Sequence, residues 1–228
     1  YDIEVTTHDG GDVVYEETFV TRALPPAAGA PNKFITAGSS TATIQTALDG
    51  LVAGDVLEFE DGTYTITGGG LTLDGIAGTA GSLIYIRGES RDGVIISRSS
   101  GGILVWNAAD YVVLEILTLS GSHLDSGISV ESWGTGSTSA NPVFGTIRNI
   151  NIEGVDGAVG FQADVQSFLI YNCTFVGNNQ WLQDLYEYGG SGIPESNPTA
   201  FPDGTIDLDQ NLFWNDDGLH MPGTGICI

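Results

Sequence analysis

The sequence predicts an all-β solenoid, a stack of short strands wound in coils, and three observations predict it. Glycine is abundant, 33 of 228 residues, beside many Thr, Ser, Asn and Asp. That mix favours short strands joined by tight turns. Three alternating segments align without gaps: Ile116-Leu117-Thr118-Leu119-Ser120-Gly121, Asn149-Ile150-Asn151-Ile152-Glu153-Gly154 and Asn172-Cys173-Thr174-Phe175-Val176-Gly177. A short amphipathic helix bearing Ile44, Ala47, Leu48 and Leu51 runs into Ala53-Gly54-Asp55, then strand, turn and strand. The length fits one domain with a substantial core. A hydrophobic fraction of 41% excludes general disorder.

Taken in order, residues 1–22 read as a β-hairpin arm, with two alternating runs around the turn His8-Asp9-Gly10-Gly11-Asp12. Residues 23–33 are a Pro/Ala/Gly linker expected to be extended, which leaves the arm separable from the main body. The amphipathic helix follows, then Val56-Leu57-Glu58-Phe59, an Asp61-Gly62 turn and Tyr64-Thr65-Ile66. Further coils are read at Leu83-Ile84-Tyr85-Ile86-Arg87-Gly88 and Val94-Ile95-Ile96-Ser97. Asn211-Leu212-Phe213-Trp214-Asn215-Asp216 joins the aligned repeats less cleanly. A second unit recurs as Ser126-Gly127-Ile128, Asp156-Gly157-Ala158 and Asp217-Gly218-Leu219. Spacings of roughly 23 to 39 residues fit three-strand coils with variable corner loops.

The helix-strand-turn-strand segment over residues 43–66 resembles the opening of right-handed parallel β-helix proteins of the pectate-lyase-like superfamily. The resemblance covers residues 34–228. It implies a right-handed single-stranded parallel β-helix with the amphipathic helix as its N-terminal cap. Parallel stacking then predicts apolar columns. Leu119, Ile152, Phe175 and Trp214 form one, and Leu117, Ile150, Cys173 and Leu212 its neighbour. Asn149, Asn172 and Asn211 sit one position earlier, where a corner ladder of amides is a family feature.

Charge narrows the partners. With 29 acidic and six basic residues the formal net charge is −23. Such a surface repels nucleic acid and anionic membranes. An apolar run of membrane-spanning length is missing from the sequence, and so is a basic-then-apolar secretion leader. An extracellular or cell-surface location is the expectation that composition and resemblance imply. Cys173 and Cys227 are 54 residues apart with a coil between them, beyond disulfide reach. Cys173 is therefore expected to be buried and free, and Cys227 unpaired within the chain.

The sharpest chemical motif is Asn215-Asp216-Asp217-Gly218-Leu219-His220, which looks like the Asp-Asp-Gly segments of β-helix lyases and glycosidases. The resemblance implies Ca2+ on Asp216 and Asp217, with Asp216, Asp217 and His220 catalytic if the protein is a polysaccharide lyase or glycoside hydrolase. The same residues also read as a solvated turn, in which case no cofactor is required. A lyase further needs a Brønsted base, and the cations stand elsewhere, Lys33 in the linker and Arg148 in mid-chain. Residues 180–202 read as a protruding loop. Its Trp181, Tyr186 and Tyr188 either stack on the sugars of an extracellular polysaccharide, as an adhesin would, or pack the loop onto the wall.

The favoured reading is structural. The segment Gly225-Ile226-Cys227-Ile228 is apolar and strand-like, with no polar cover after it. Solenoids need covered ends, and an open terminal coil is a template for association. Other copies of the chain are the expected partners. They would assemble end to end through Ile226, Cys227 and Ile228, with Ile3, Val5, Val14 and Phe19 of the arm pairing across the contact.

Overall fold

Five consecutive trios of short strands build the molecule, each trio visiting three sheets in turn. The computed structural model describes residues 24–122, 127–131, 144–155, 157–161, 168–176, 180–184, 205–207, 212–214 and 226–227. A short strand β1 (Lys33–Ile35) and one helix α1 (Thr41–Asp49) precede the trios. The first trio is β2 (Val56–Phe59), β3 (Gly62–Thr65) and β4 (Leu71–Asp74), and the second β5 (Ile84–Gly88), β6 (Val94–Ser97) and β7 (Leu104–Asn107). Then come β8 (Val112–Glu115), β9 (Thr118–Ser120) and β10 (Ile128–Glu131), followed by β11 (Thr146–Arg148), β12 (Asn151–Glu153) and β13 (Gly157–Phe161). The fifth is β14 (Phe168–Tyr171), β15 (Thr174–Val176) and β16 (Gln180–Asp184). Three further strands close the series, β17 (Thr205–Asp207), β18 (Leu212–Trp214) and β19 (Ile226–Cys227).

From β2 to β16 every third strand pairs in parallel, whereas β17 and β18 run antiparallel to β15 and β14. One eight-stranded sheet runs β1-β2-β5-β8-β11-β14-β18-β19, a six-stranded one β17-β15-β12-β9-β6-β3, and a five-stranded one β16-β13-β10-β7-β4. The fold is all-β and β-helix-like. Inward residues stack in register: Leu57, Ile86, Leu114, Ile147 and Ile170 follow one another in the eight-stranded sheet. They are buried with the inward residues of the other sheets in one core. A cavity of about 20 Å³, lined by Leu48, Phe59, Leu71 and Ile86 among others, is the size of one water but offers it no polar partner.

Ser40 caps α1 by accepting from the Thr43 backbone N–H. The helix buries Ile44 and Leu48 in the core and lies against β4, where the Gln45 side chain both donates to and accepts from the Thr72 backbone. It starts at Thr41, two residues before the expected Thr43.

The column over Leu119, Ile152 and Phe175 is in register, and Leu117, Ile150 and Cys173 are each fully buried beside it. Cys173 is free, and burial pushes its thiol up to about 12. The fourth repeat differs. Leu212 and Trp214 lie in β18, which runs antiparallel to β14 with Phe168 opposite Trp214, so neither extends its expected column. The second repeat unit slips by one, since Ile128 pairs with Val159 and not Ala158. In a strand a slip of one exchanges inner and outer faces.

Corners are made by left-handed residues. Asn149 and Asn172 have φ of 54° and 49°, and the Asn172 amide donates to Asn149 Oδ1 at 2.5 Å across 23 residues of chain. Tyr111 and Phe144 are also left-handed, and their rings stack 4.8 Å apart. Ile116 precedes the same ladder position as Asn149 by one coil and has a φ of 56°. A β-branched residue is strained there by about 1–2 kcal/mol. Ile116→Asn relieves that strain and extends the ladder, so the urea midpoint should rise by the equivalent of about 1 kcal/mol.

Candidate functional site

The outer face of the eight-stranded sheet carries two unlike columns. One is apolar, with Val56, Tyr85 and Val113 forming a small second core. The other is charged: Glu58, Arg87, Glu115 and Arg148 alternate in register, and Tyr171 ends the series. Arg87 Nε stands 3.3 Å from Glu58 and Arg148 Nε 2.5 Å from Glu115. Only six residues in the chain are basic, and two of them stand in this column. The Glu115–Arg148 pair is buried on both sides, with side chains 3% and 6% exposed.

What buries the pair is the chain itself. Residues 24–32 cross the face from β11 back to β2. Arg148 Nη1 donates to the Pro25 carbonyl at 2.7 Å and Nη2 to the Pro26 carbonyl at 2.9 Å, while Tyr85 donates to Pro26 at 3.0 Å. Ala28 packs on Val56, Tyr85 and Val113. Asn32 donates its backbone N–H to Val56 and accepts from Val56 through its side chain. The match is chemical: consecutive prolines have carbonyls and no N–H, and a guanidinium has donors and no acceptor. Nη1 also donates to the Tyr171 hydroxyl at 2.9 Å, so one planar fork serves four oxygens. Burial alone would lower the Arg148 pKa. Its bonds to Tyr171 and Glu115 outweigh that and hold it above the ordinary value. The guanidinium is therefore a fixed cation and not a proton acceptor.

A second network anchors the other end of the strap. The Asp55 carboxylate accepts from the Val52 N–H at 2.8 Å, from Asn32 at 3.0 Å and from Lys33 at 2.9 Å. Lys33 also donates to the Gly50 carbonyl beyond α1. Burial pushes the Asp55 pKa up, but the bonds from Val52, Lys33 and Asn32 bring it below the usual aspartate value.

The residues singled out from the sequence are distributed differently. Trp181 lies in β16, Ile226 and Cys227 in β19. Asp216, Asp217, His220, Tyr186, Tyr188, Ile3, Val5, Val14, Phe19 and Ile228 lie outside the described residues. Among the described residues no group of three or more His, Cys, Asp or Glu is arranged to hold a metal ion, and no helix is long and apolar enough to cross a membrane. Sequence reasoning missed Glu115, Tyr171, Pro25 and Pro26 as partners of Arg148. The available signal was the i, i+33 and i+56 recurrence of Glu115, Arg148 and Tyr171 at the ends of equivalent strands.

No protein-family model matches the chain, and no curated protein matches it. Among solved structures the chain is similar to a mutant of AlyGC, a PL6 family alginate lyase, at 12% identity and a TM-score of 0.48. That likeness covers 64% of this chain and 20% of the lyase chain, so the chain spans about a fifth of the protein it matches.

Two measurements test the energetics. Arg148→Ala leaves Glu115 charged and buried without its partner and should cost about 3–5 kcal/mol in urea unfolding, whereas Glu115→Gln with Arg148→Met should cost far less. Asp55 contributes stability through its ionised form. That contribution is complete above the ordinary aspartate pKa, near 4, and is lost as pH falls through the lowered folded value. Asp55→Asn should flatten this acid limb of a stability–pH curve, which urea midpoints measured from neutral to acid pH will show.

Proposed function

We propose that the chain is a right-handed parallel β-helix subunit of an extracellular or cell-surface assembly, capped by α1 and joined to further copies through its ends. The observation that carries this reading is the construction of the eight-stranded sheet. Its two outermost strands among the described residues are β1 and β19. β18 is antiparallel to β14 and β19 antiparallel to β18, so β19 recovers the direction of the parallel strands. A second copy's β1 can therefore continue the same sheet beyond β19. An unpaired edge strand is a template for such addition.

The α1 end supports the same reading. Phe34 in β1 is 57% exposed and Val52 beyond α1 is 62% exposed. Large apolar groups exposed at a sheet edge favour burial against a partner. The contact joins different ends of identical copies, so it is heterologous and propagates as a filament. Its role is structural and needs no cofactor.

Net charge opposes association between copies, each carrying −23. Salt screens that repulsion. Sedimentation should therefore show association that strengthens with added salt, and electron microscopy should show elongated particles of one width. Phe34→Thr, which removes the exposed ring without stacking a like charge on Glu58, should weaken association at least tenfold without lowering the urea midpoint. A chain that stays monomeric across salt and protein concentration would falsify the reading.

A further inference from the structure

We propose that Asn172 is the acceptor of an N-linked glycan, attached before the fifth trio of strands packs. The inference rests on the proposed function only for its location outside the cell.

The sequence holds one Asn-x-Ser/Thr triplet without a central proline, Asn172-Cys173-Thr174. That triplet is the acceptor pattern for N-glycosylation, a bulky surface modification of secreted chains. Asn197-Pro198-Thr199 is excluded by its proline. The fold places the triplet at a surface corner. β14 ends at Tyr171 and β15 begins at Thr174, so Asn172 and Cys173 join the eight-stranded sheet to the six-stranded one. Asn172 is exposed, with a φ of 49°, while Cys173 turns fully into the core. Thr174 follows buried Cys173 in a strand of alternating faces and so points outward, half-buried. One coil earlier Asn149 makes the same corner with a φ of 54°, but Asn151 stands where the hydroxyl is needed. Asn149 is the matched non-acceptor.

The corner leaves the amide able to react. Asn172 Nδ2 carries two hydrogens and donates one to Asn149 Oδ1. In the transfer, Nδ2 bonds to the anomeric carbon of an oligosaccharide held on a lipid pyrophosphate. The bond from that carbon to the phosphate oxygen breaks, and the lipid pyrophosphate leaves with the electron pair. One amide proton is lost to a base of the transferase. The other hydrogen stays on Nδ2 and keeps the bond to Asn149.

The order of events follows from the middle residue. An enzyme that reads Asn and Thr two positions apart must enclose the backbone between them. In the packed coil that backbone is not free: Cys173 is fully buried, and the Thr174 N–H donates to the Ile150 carbonyl at 2.9 Å. The glycan is therefore added while this coil is open, and packing then fixes it on the corner.

The test uses the full chain from its producing cells as wild type, Asn172→Asp and Thr174→Ala. Aspartate tolerates the left-handed corner but has no amide nitrogen, and Thr174→Ala leaves the corner residue untouched. Intact-mass spectrometry should show the wild type heavier than its sequence by one glycan, both variants at the bare mass, and the glycan restored in Thr174→Ser. Ile116→Asn creates a second such triplet with Leu117 and Thr118 at the equivalent corner, although Thr118 is buried in the folded chain. That variant should gain a second glycan. In a cell-free reaction, chain made with transferase and lipid-linked donor present should be glycosylated at least tenfold more than chain given them after folding. Equal transfer to folded chain overturns the order of events. A wild-type chain recovered outside the cell at bare mass overturns the acceptor. A bare chain found only inside the cell overturns the location instead, and the cell-free reaction still decides the acceptor.

Discussion

The constraint on which the structure depends is the parallel ladder between coils. Through the five trios each strand bonds to one a full coil away, so a side chain's nearest lateral neighbour is 23 to 33 residues distant in sequence, as Asn149 is from Asn172 and Glu115 from Arg148. Like stacks on like by position. Inside, this makes columns of Leu, Ile and Val that exclude water. At corners it makes the Asn149–Asn172 amide bond and the Tyr111–Phe144 ring stack. Outside, the same rule would place like charges 4.8 Å apart if every coil repeated a charge. The alternation Glu58, Arg87, Glu115, Arg148 is how a strongly acidic chain avoids that along its wall.

Burial converts this alternation from surface chemistry into architecture. An exposed ion pair contributes little. The Glu115–Arg148 pair is covered by Pro25 and Pro26, and once covered it cannot lose one member without leaving a charge in an apolar setting. Strap and pair therefore depend on each other. The strap excludes water from the pair, and the pair supplies the donors that the strap's carbonyls need. At the opposite end Asp55 performs the reverse task, an acceptor gathering the Val52 N–H, Asn32 and Lys33. The two anchors hold residues 24–32 across strands belonging to four different coils.

Much of the fold was legible from residues that repeat. Leu117, Ile150 and Cys173 could be aligned because their segments lack gaps, and all three are buried as a column requires. The strand at Val56 and the strands at Ile84 and Val94 follow from alternation alone. Trp214 was not legible, because an antiparallel strand has the same alternation as a parallel one and direction leaves no mark on a six-residue pattern. The slip at Ile128 has the same origin: its Gly-apolar signature is too short to fix register to one residue. Left-handed Ile116, Tyr111 and Phe144 were invisible since local propensity argues against all three, and only the stack imposes that backbone on them. Asp216, Asp217 and His220 could be named as a motif, yet a motif has chemistry only through what faces it.

Arg148 was legible only as an isolated cation, because its strap partners lie 122 and 123 residues away and carry no charge to advertise them. Proline suits that place for a physical reason. A segment crossing a sheet at a steep angle to its strands cannot join the ladder, so any N–H it buried would need its own acceptor. Pro25, which is buried, removes such a donor, and the two prolines present adjacent carbonyls from a backbone of restricted φ. A side chain with several donors and no acceptor then satisfies both at once, and on this face Arg148 is placed to do so. An alanine pair in the strap would present the same carbonyls but add an N–H at the buried Pro25 position. Pro-Pro thus suits the wall it crosses, a contact that a Pro/Ala/Gly segment read from sequence as extended does not advertise.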